Sequence, residues 1–335
     1  MKRRFLSVLT AFAVAAQAAL ALAQGPVTLD PGKLKLASAN VLVQDADTGR
    51  SVYAKGADEV TAIASLTKLM TAIVTLEAGL PLDEPIAVDI DDFDFLKGSR
   101  SRLSMGATLP RREMLRLALM SSENRAASTL ARHYPGGARS FVVAMNAKAR
   151  ELGMTNTRFE DPTGLSPRNV STASDLARLV RASAQYPLIR DYSTTPSHYV
   201  EIPATGRLLG FNNSNRLVAS GEWDIQLQKT GYIREAGRCV VMLANVASKP
   251  MIIVLLDSIG KYTRLTDAQR VKYWLETGET MPAPVVHRAR YAPKGVVATK
   301  SSRTTGMAKV KYTTKAKATT SATPRVKSKT KSPRQ

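Results

Sequence analysis

The chain has 335 residues, 44% of them hydrophobic, a single cysteine and a formal charge of +21. That is enough apolar material for one large domain or two small ones, and one cysteine excludes an internal disulfide framework. The basicity is unevenly placed. Of 48 Lys and Arg, three lie in Met1–Gln24 and 14 in Met281–Gln335, which has no acidic residue; the remaining 31 stand against all 27 acids in the body.

The N-terminus, "MKRRFLSVLTAFAVAAQAALALAQ", has a basic start, an apolar stretch and a small-x-small ending at Ala21-Leu22-Ala23. This is the pattern of a secretory leader cleaved after Ala23, so residues 1–23 are expected to be a signal peptide and the mature protein to be exported. The alternative is an uncleaved anchor, because Phe5 to Leu22 is nearly long enough to span a bilayer. The absence of a cysteine near the cleavage site excludes a lipoprotein anchor. Next, "NVLVQDADTGRSVYAKGAD" places two alternating runs around Asp47-Thr48-Gly49 and predicts a β-hairpin. A helix follows in "IASLTKLMTAIVTLEAG", and a helical block spans about Pro110 to Ala184. Three strand-like runs, "WDIQLQKTGYI", "GRCVVMLANV" and "KPMIIVLLDS", then predict an antiparallel meander. A last helix, "LTDAQRVKYWLETG", ends at Gly278. The expected fold class is α/β of the α+β kind: an antiparallel sheet built from both chain ends, flanked by helices, with an inserted helical subdomain. Residues 24–280 are expected to form the catalytic domain. Residues 281–335, rich in Lys, Thr, Ser, Ala and Pro, read as a disordered basic tail.

Cys239 lies in an apolar strand context and reads as a buried, inert thiol. His133, His198 and His287 are scattered without metal-ligand spacing, and no cofactor is expected. The chemistry instead gathers at Ser65 and Lys68. A serine hydroxyl needs an adjacent base to become a nucleophile, and residues i and i+3 share a helix face. Lysine serves as that base only where burial or a neighbouring cation lowers its pKa. The backbone N–H of Ser65, at a helix N-terminus, is placed to help hold an oxyanion. Alone, S-x-x-K means little, for it recurs at Ser258/Lys261 and Ser328/Lys331. Here it is followed in order by Ser122-Glu123-Asn124 and by Lys229-Thr230-Gly231. S-x-N also occurs at Ser38/Asn40, but K-T-G occurs once. Each residue has a plainer reading: a helix cap for Ser65, Ser122 or Asn124, a solvated helix face for Lys68, a turn for K-T-G. The ordered trio outweighs these.

These three elements resemble those of the penicillin-binding protein and serine β-lactamase superfamily. "ASLTKLMTA", "SSENRAA", "YPGG", "MNAKARELGMTNTRFEDPTGLS", "VSTASDLARL" and "QLQKTG" resemble low-molecular-mass D-alanyl-D-alanine peptidases, with most similarity to the endopeptidase type, penicillin-binding protein 7/8. The likeness runs from about Ala37 to Gly278. It implies that Ser65 is acylated, that Lys68 is its general base and that Ser122 relays a proton to the leaving amine. It also implies that Asn124 binds the substrate amide, that Lys229 and Thr230 bind a substrate carboxylate, and that the N–H of Tyr232 joins that of Ser65 in an oxyanion hole. Lys229 adds a second cation that helps keep Lys68 neutral. Gly231 leaves room for a substrate backbone along the strand edge. Arg234 and Arg238 are further carboxylate ligands or simple surface charges, and Gly164 in "EDPTGLS" reads as a turn glycine.

The implied substrate is peptidoglycan stem peptide, with β-lactams as acylating inhibitors. Endopeptidase action on D-Ala–diaminopimelate cross-bridges is favoured over a carboxypeptidase, because the related carboxypeptidases often add a C-terminal β-domain and amphipathic helix not seen after Gly278. A β-lactamase needs a deacylation base; Glu151 and Glu160 are wrongly framed for one, and E-x-x-L-N is missing. A non-catalytic wall-binding protein would have no use for the three motifs. Export makes the expected partners of the basic tail extracytoplasmic polyanions rather than nucleic acid, and places the protein in the periplasm.

Overall fold

The computed structural model describes residues 27–94 and 97–282. The expected leader and, apart from Met281 and Pro282, the expected tail lie outside these residues. In chain order the strands begin with the hairpin β1 (Ser38–Asp45) and β2 (Ser51–Lys55), then β3 (Thr61–Ala62). A 3-10 turn at Ala64–Thr67 leads into helix α1 (Lys68–Glu77). The short strands β4 (Pro85–Ala87) and β5 (Thr108–Pro110) pair with each other ahead of α2 (Arg111–Met120), α3 (Asn124–Arg132) and α4 (Gly137–Glu151). The strand β6 (Val170–Ser171) pairs with β3 and precedes α5 (Ala173–Ser183) and α6 (Pro187–Thr194). A second hairpin, β7 (Ser197–Ile202) and β8 (Arg207–Asn212), and the short α7 (Arg216–Ala219) lead to the meander β9 (Asp224–Ile233), β10 (Gly237–Val246) and β11 (Lys249–Ser258). Helix α8 (Thr263–Thr277) ends the series.

The main sheet runs β2-β1-β11-β10-β9, all antiparallel, so the first strand pairs with the last from Ser38↔Ser258 to Asp45↔Met251. This is the expected sheet closed from both chain ends. Its turns carry the expected chemistry. Asp45 Oδ1 accepts from Asp47 N at 3.1 Å and Thr48 N at 2.8 Å, and Gly49 sits at φ +72°. Ala247 and Ser248, both at positive φ, make the two-residue β10–β11 turn whose twist suits a tight hairpin. Side chains alternate between the sheet faces. Leu42, Val241, Ile252 and Val254 join the helical block, whereas Val43, Met242, Ile253 and Leu255 pack with Trp274 and Val271 of α8. Strands covered on both sides are accordingly apolar at nearly every position.

The hairpin β7–β8 and helix α6 were not read from the sequence. Helix α1 is buried all round, Lys68 through Thr75 included, because it lies between the sheet and the other helices rather than on the surface. Cys239 is fully buried, its thiol donates toward Ala236 O at 3.3 Å, and burial pushes its pKa up to about 12.

The two ends are pinned together by one carboxylate. Asp267 in α8, fully buried, accepts from Ser38 N at 2.8 Å, Ser38 Oγ at 2.8 Å and Ala37 N at 3.2 Å. Replacing it strands buried donors on β1. Asp267→Ala is expected to cost about 2–4 kcal/mol of stability, read as a lowered urea midpoint at unchanged slope. A midpoint equal to that of the parent would show the tie to be dispensable.

Candidate active site

The 3-10 turn explains why Ser65 and Lys68 meet. At three residues per turn, positions i and i+3 lie one above the other. Lys68 Nζ lies 2.9 Å from Ser65 Oγ. Two further acceptors complete its shell: Asn124 Oδ1 at 2.7 Å and the carbonyl of Thr163 at 2.6 Å. The lysine is fully buried. Burial lowers its pKa to about 7, against an opposing pull from Asp161 and Glu123. An ordinary lysine is neutral in roughly one molecule in a few thousand at pH 7; burial moves this one far toward the neutral amine. As an ammonium it donates to all three oxygens. As an amine it donates to two, and its lone pair faces the Ser65 hydroxyl.

Asn124 is the first residue of α3, and its Nδ2 donates to Ser99 Oγ at 3.0 Å. The cap of that helix is neither Ser122 nor Asn124 but Glu123, whose carboxylate accepts from Arg125 N at 3.2 Å. Ser122 stands in left-handed backbone at φ +64°. A non-glycine residue held there costs of order 1–3 kcal/mol, strain that clusters at functional positions. Ala64, just before Ser65, is held likewise at φ +49°.

K-T-G forms the facing wall on β9, the edge strand. Lys229 is fully buried and donates to the carbonyl of Thr230 at 2.9 Å. Burial drives its pKa well down, reinforced by the cations Lys68 and Arg264. Burial is the first cause of the shift at both lysines, and the repulsion between two neighbouring cations acts on each of them, favouring the neutral form of either. Thr230 Oγ1 donates to Ser214 Oγ at 2.7 Å, and Ser214 N donates to the Met120 carbonyl at 2.7 Å, which joins this wall to the end of α2. The space left by Gly231 is taken by the Ile63–Ser65 turn. A Cβ there would meet Ile63 O at 2.9 Å and Ser65 N at 3.1 Å. Tyr232 is 56% exposed beyond it.

Two features were undervalued or missed in the sequence. The first is the loop around Asp161. Its Oδ1 accepts from Thr163 N and Thr163 Oγ1, both at 2.6 Å, and from Gly164 N at 2.7 Å; its Oδ2 accepts from Ser166 N at 2.8 Å. Asn169, fully buried, ties the loop to Thr67 through Nδ2 at 3.0 Å. The loop thus holds the Thr163 carbonyl on Lys68. Gly164 is a turn glycine at φ +83°, as expected, but it also lies on the Ala64–Ser65 peptide: a Cβ would fall 2.0 Å from Ala64 O. The second is Arg264 in the first turn of α8. It donates to the carbonyls of Gly231 at 2.9 Å and Cys239 at 3.2 Å. No local pattern marks it; it reads as one more helix charge. Arg238 stacks 4.4 Å from the Tyr232 ring centroid, while Arg234 is exposed. Of the two glutamates considered for deacylation, Glu160 pairs with Arg158 and Arg168, and Glu151 with Lys148.

Gly164→Ala separates a turn glycine from a packed one. A turn position alone loses about 1 kcal/mol of stability. Displacement of the Ala64–Ser65 peptide should in addition slow acylation by fluorescent penicillin about 100-fold, the usual order for an ångström-scale misplacement. Parent-like acylation in the folded variant would contradict the close approach.

The D-alanyl-D-alanine carboxypeptidase pattern, peptidase family S11, matches residues 27–260. A D-alanyl-D-alanine endopeptidase of Pseudomonas aeruginosa is 48% identical over 290 residues, covering 86% of this chain and 94% of that one. One of Escherichia coli is 47% identical, covering 83% and 89%. The crystal structure of the Streptomyces K15 DD-transpeptidase superposes with a TM-score of 0.66 at 28% identity, over 72% of this chain and 97% of that one. Penicillin-binding protein D2 from Listeria monocytogenes, in its ampicillin-bound form, gives 0.61 at 30% identity, over 71% and 96%. A match across most of the chain, with relatives near half identity along almost their whole length, makes this protein a member of the D-alanyl-D-alanine carboxypeptidase family of serine peptidases.

Proposed function

We propose that the protein is an exported, penicillin-sensitive serine peptidase that opens D-Ala–diaminopimelate cross-bridges in peptidoglycan through an acyl-enzyme on Ser65. The observation that carries the chemistry is the 2.9 Å contact between Ser65 and a buried lysine with a pKa near 7. In this reading the amine of Lys68 takes the Ser65 proton as Oγ attacks the D-Ala carbonyl. The N–H groups of Ser65 and Tyr232 hold the oxyanion. Ser122 gives its proton to the leaving amine and takes in return the one Lys68 removed from Ser65, and the C–N bond breaks. Asn124 holds the substrate amide; Thr230 and Lys229 receive the carboxylate beside the leaving nitrogen, whose charge draws Lys229 into its ammonium form. Water then hydrolyses the ester. The basic tail is proposed to keep the enzyme near its polyanionic substrate.

The endopeptidase reading is supported by the names of the relatives at 48% and 47% identity. The carboxypeptidase reading is favoured by the family's description and by a Bacillus subtilis carboxypeptidase at 30% identity over 63% of this chain.

Ser65→Ala is expected to abolish labelling by fluorescent penicillin. Lys68→Arg should do nearly the same, since a guanidinium does not deprotonate. In the parent the base-competent form is the neutral amine, so the acylation rate should fall about tenfold per pH unit below pH 7 and level above it. Labelling of folded Ser65→Ala, or a rate flat from pH 5 to 9, would remove the assignment. Incubation with purified cross-linked dimeric muropeptide should yield monomers. Release of terminal D-Ala alone would leave the carboxypeptidase.

A further inference from the structure

Beyond K-T-G the molecule gathers cations around exposed aromatic rings. Arg216 from α7 and Lys261 lie 5.5 Å and 5.3 Å from the ring centroid of Tyr262, which is 48% exposed at the start of α8. Arg238 on β10 covers Tyr232, its cross-strand neighbour on β9. Arg264, two residues past Tyr262, links these groups by binding the carbonyls of Gly231 and Cys239. Among the described residues, none of these four cations forms an ion pair, although ion pairs are common elsewhere on the surface. Hydrogen bonding and charge from Lys261, with Arg216 adding, hold the Tyr262 phenol below its ordinary value. Like charges assembled without counter-charge repel one another, a cost that an arriving anion removes.

The position decides which anion. By alternation along β9, Thr230 and Tyr232 share one face and Lys229 and Gly231 the other. The cationic cluster continues the Thr230–Tyr232 side. A substrate that ends in D-Ala stops at the carboxylate beside Thr230. A cross-bridge goes on from there into a second stem peptide, which bears further carboxylates.

We infer that Arg216, Arg238, Lys261 and Tyr262 form a subsite for the carboxylate-bearing peptide on the leaving side of the scissile bond. This rests on the endopeptidase reading. The subsite recognises acidic peptide through unpaired guanidinium and ammonium groups. Tyr262 supplies a flat, partly apolar surface for the connecting methylenes. It distinguishes a cross-link from a free stem, which the K-T-G wall alone cannot do.

The test is binding in a background that cannot react. Ser65→Ala protein, with and without Arg216→Ser, Lys261→Ser and Tyr262→Ala, is titrated calorimetrically with dimeric muropeptide and with monomeric pentapeptide muropeptide at low and high salt. The three added substitutions should weaken dimer binding about tenfold at low salt and less at high salt, and leave the pentapeptide within about twofold. The same three substitutions with Ser65 intact should acylate with penicillin at the parent rate, which reports a folded site. Equal dimer affinity for both proteins would overturn the inference, as would equal losses for both ligands, which would mean that the cluster reads the shared glycan or stem. If the active parent fails to cut dimer, the endopeptidase reading falls. Dimer binding by the Ser65→Ala protein still judges the subsite separately.

Discussion

The amine of Lys68 has no access to water and lies 2.9 Å from the Ser65 hydroxyl. A buried amine is tolerable only where its hydrogen bonds are made, and here the partners come from three separate parts of the chain. Ser65 belongs to the turn before α1, Asn124 opens α3, and Thr163 offers its carbonyl from the loop before β6. The same burial that makes the lysine costly makes it useful, because it lowers the pKa to about 7. The packing of α1 on all sides is the condition of that burial.

The Ser65 turn is held by backbone as much as by side chains. Gly164 and Gly231 reach the Ala64–Ser65 peptide so closely that neither has room for a Cβ. Ala64, next to Ser65, is kept in left-handed backbone, and so is Ser122 at the start of S-x-N. Such geometry persists only where the surroundings over-determine it. Asp161 and Asn169 do so on one side through a closed set of hydrogen bonds. On the other side the β9 strand is fixed by the sheet and by the Thr230–Ser214 contact. The result is a Ser65 turn held in one orientation from both sides.

The sheet explains why residues so far apart converge. Its closure joins β1 to β11, and α8 is pinned to β1 through Asp267. That pin carries Arg264 to the underside of K-T-G and Tyr262 to its flank. The K-T-G wall is therefore braced by elements from both ends of the described fold. The helical block between them supplies Ser122 and Asn124.

Local chemistry in the sequence determined much of this. Alternation around Asp47-Thr48-Gly49 predicted β1 and β2, and apolar runs separated by breaks predicted the meander, because such signals act over a few residues. The order of S-x-x-K, S-x-N and K-T-G singled out Ser65, Lys68, Ser122, Asn124 and Lys229, and the fold brings Ser65, Lys68 and Asn124 into contact. Only the tertiary structure decided the rest. Glu123 rather than its neighbours caps α3. Gly231 gives way to the Ile63–Ser65 turn, and Gly164 to the Ala64 carbonyl. Asp161 and Arg264 act on backbone atoms that are close in space and not in sequence. A carboxylate that orders a loop, or an arginine that meets a strand 33 residues away, has no spacing rule, because its partner is a peptide group that every residue possesses.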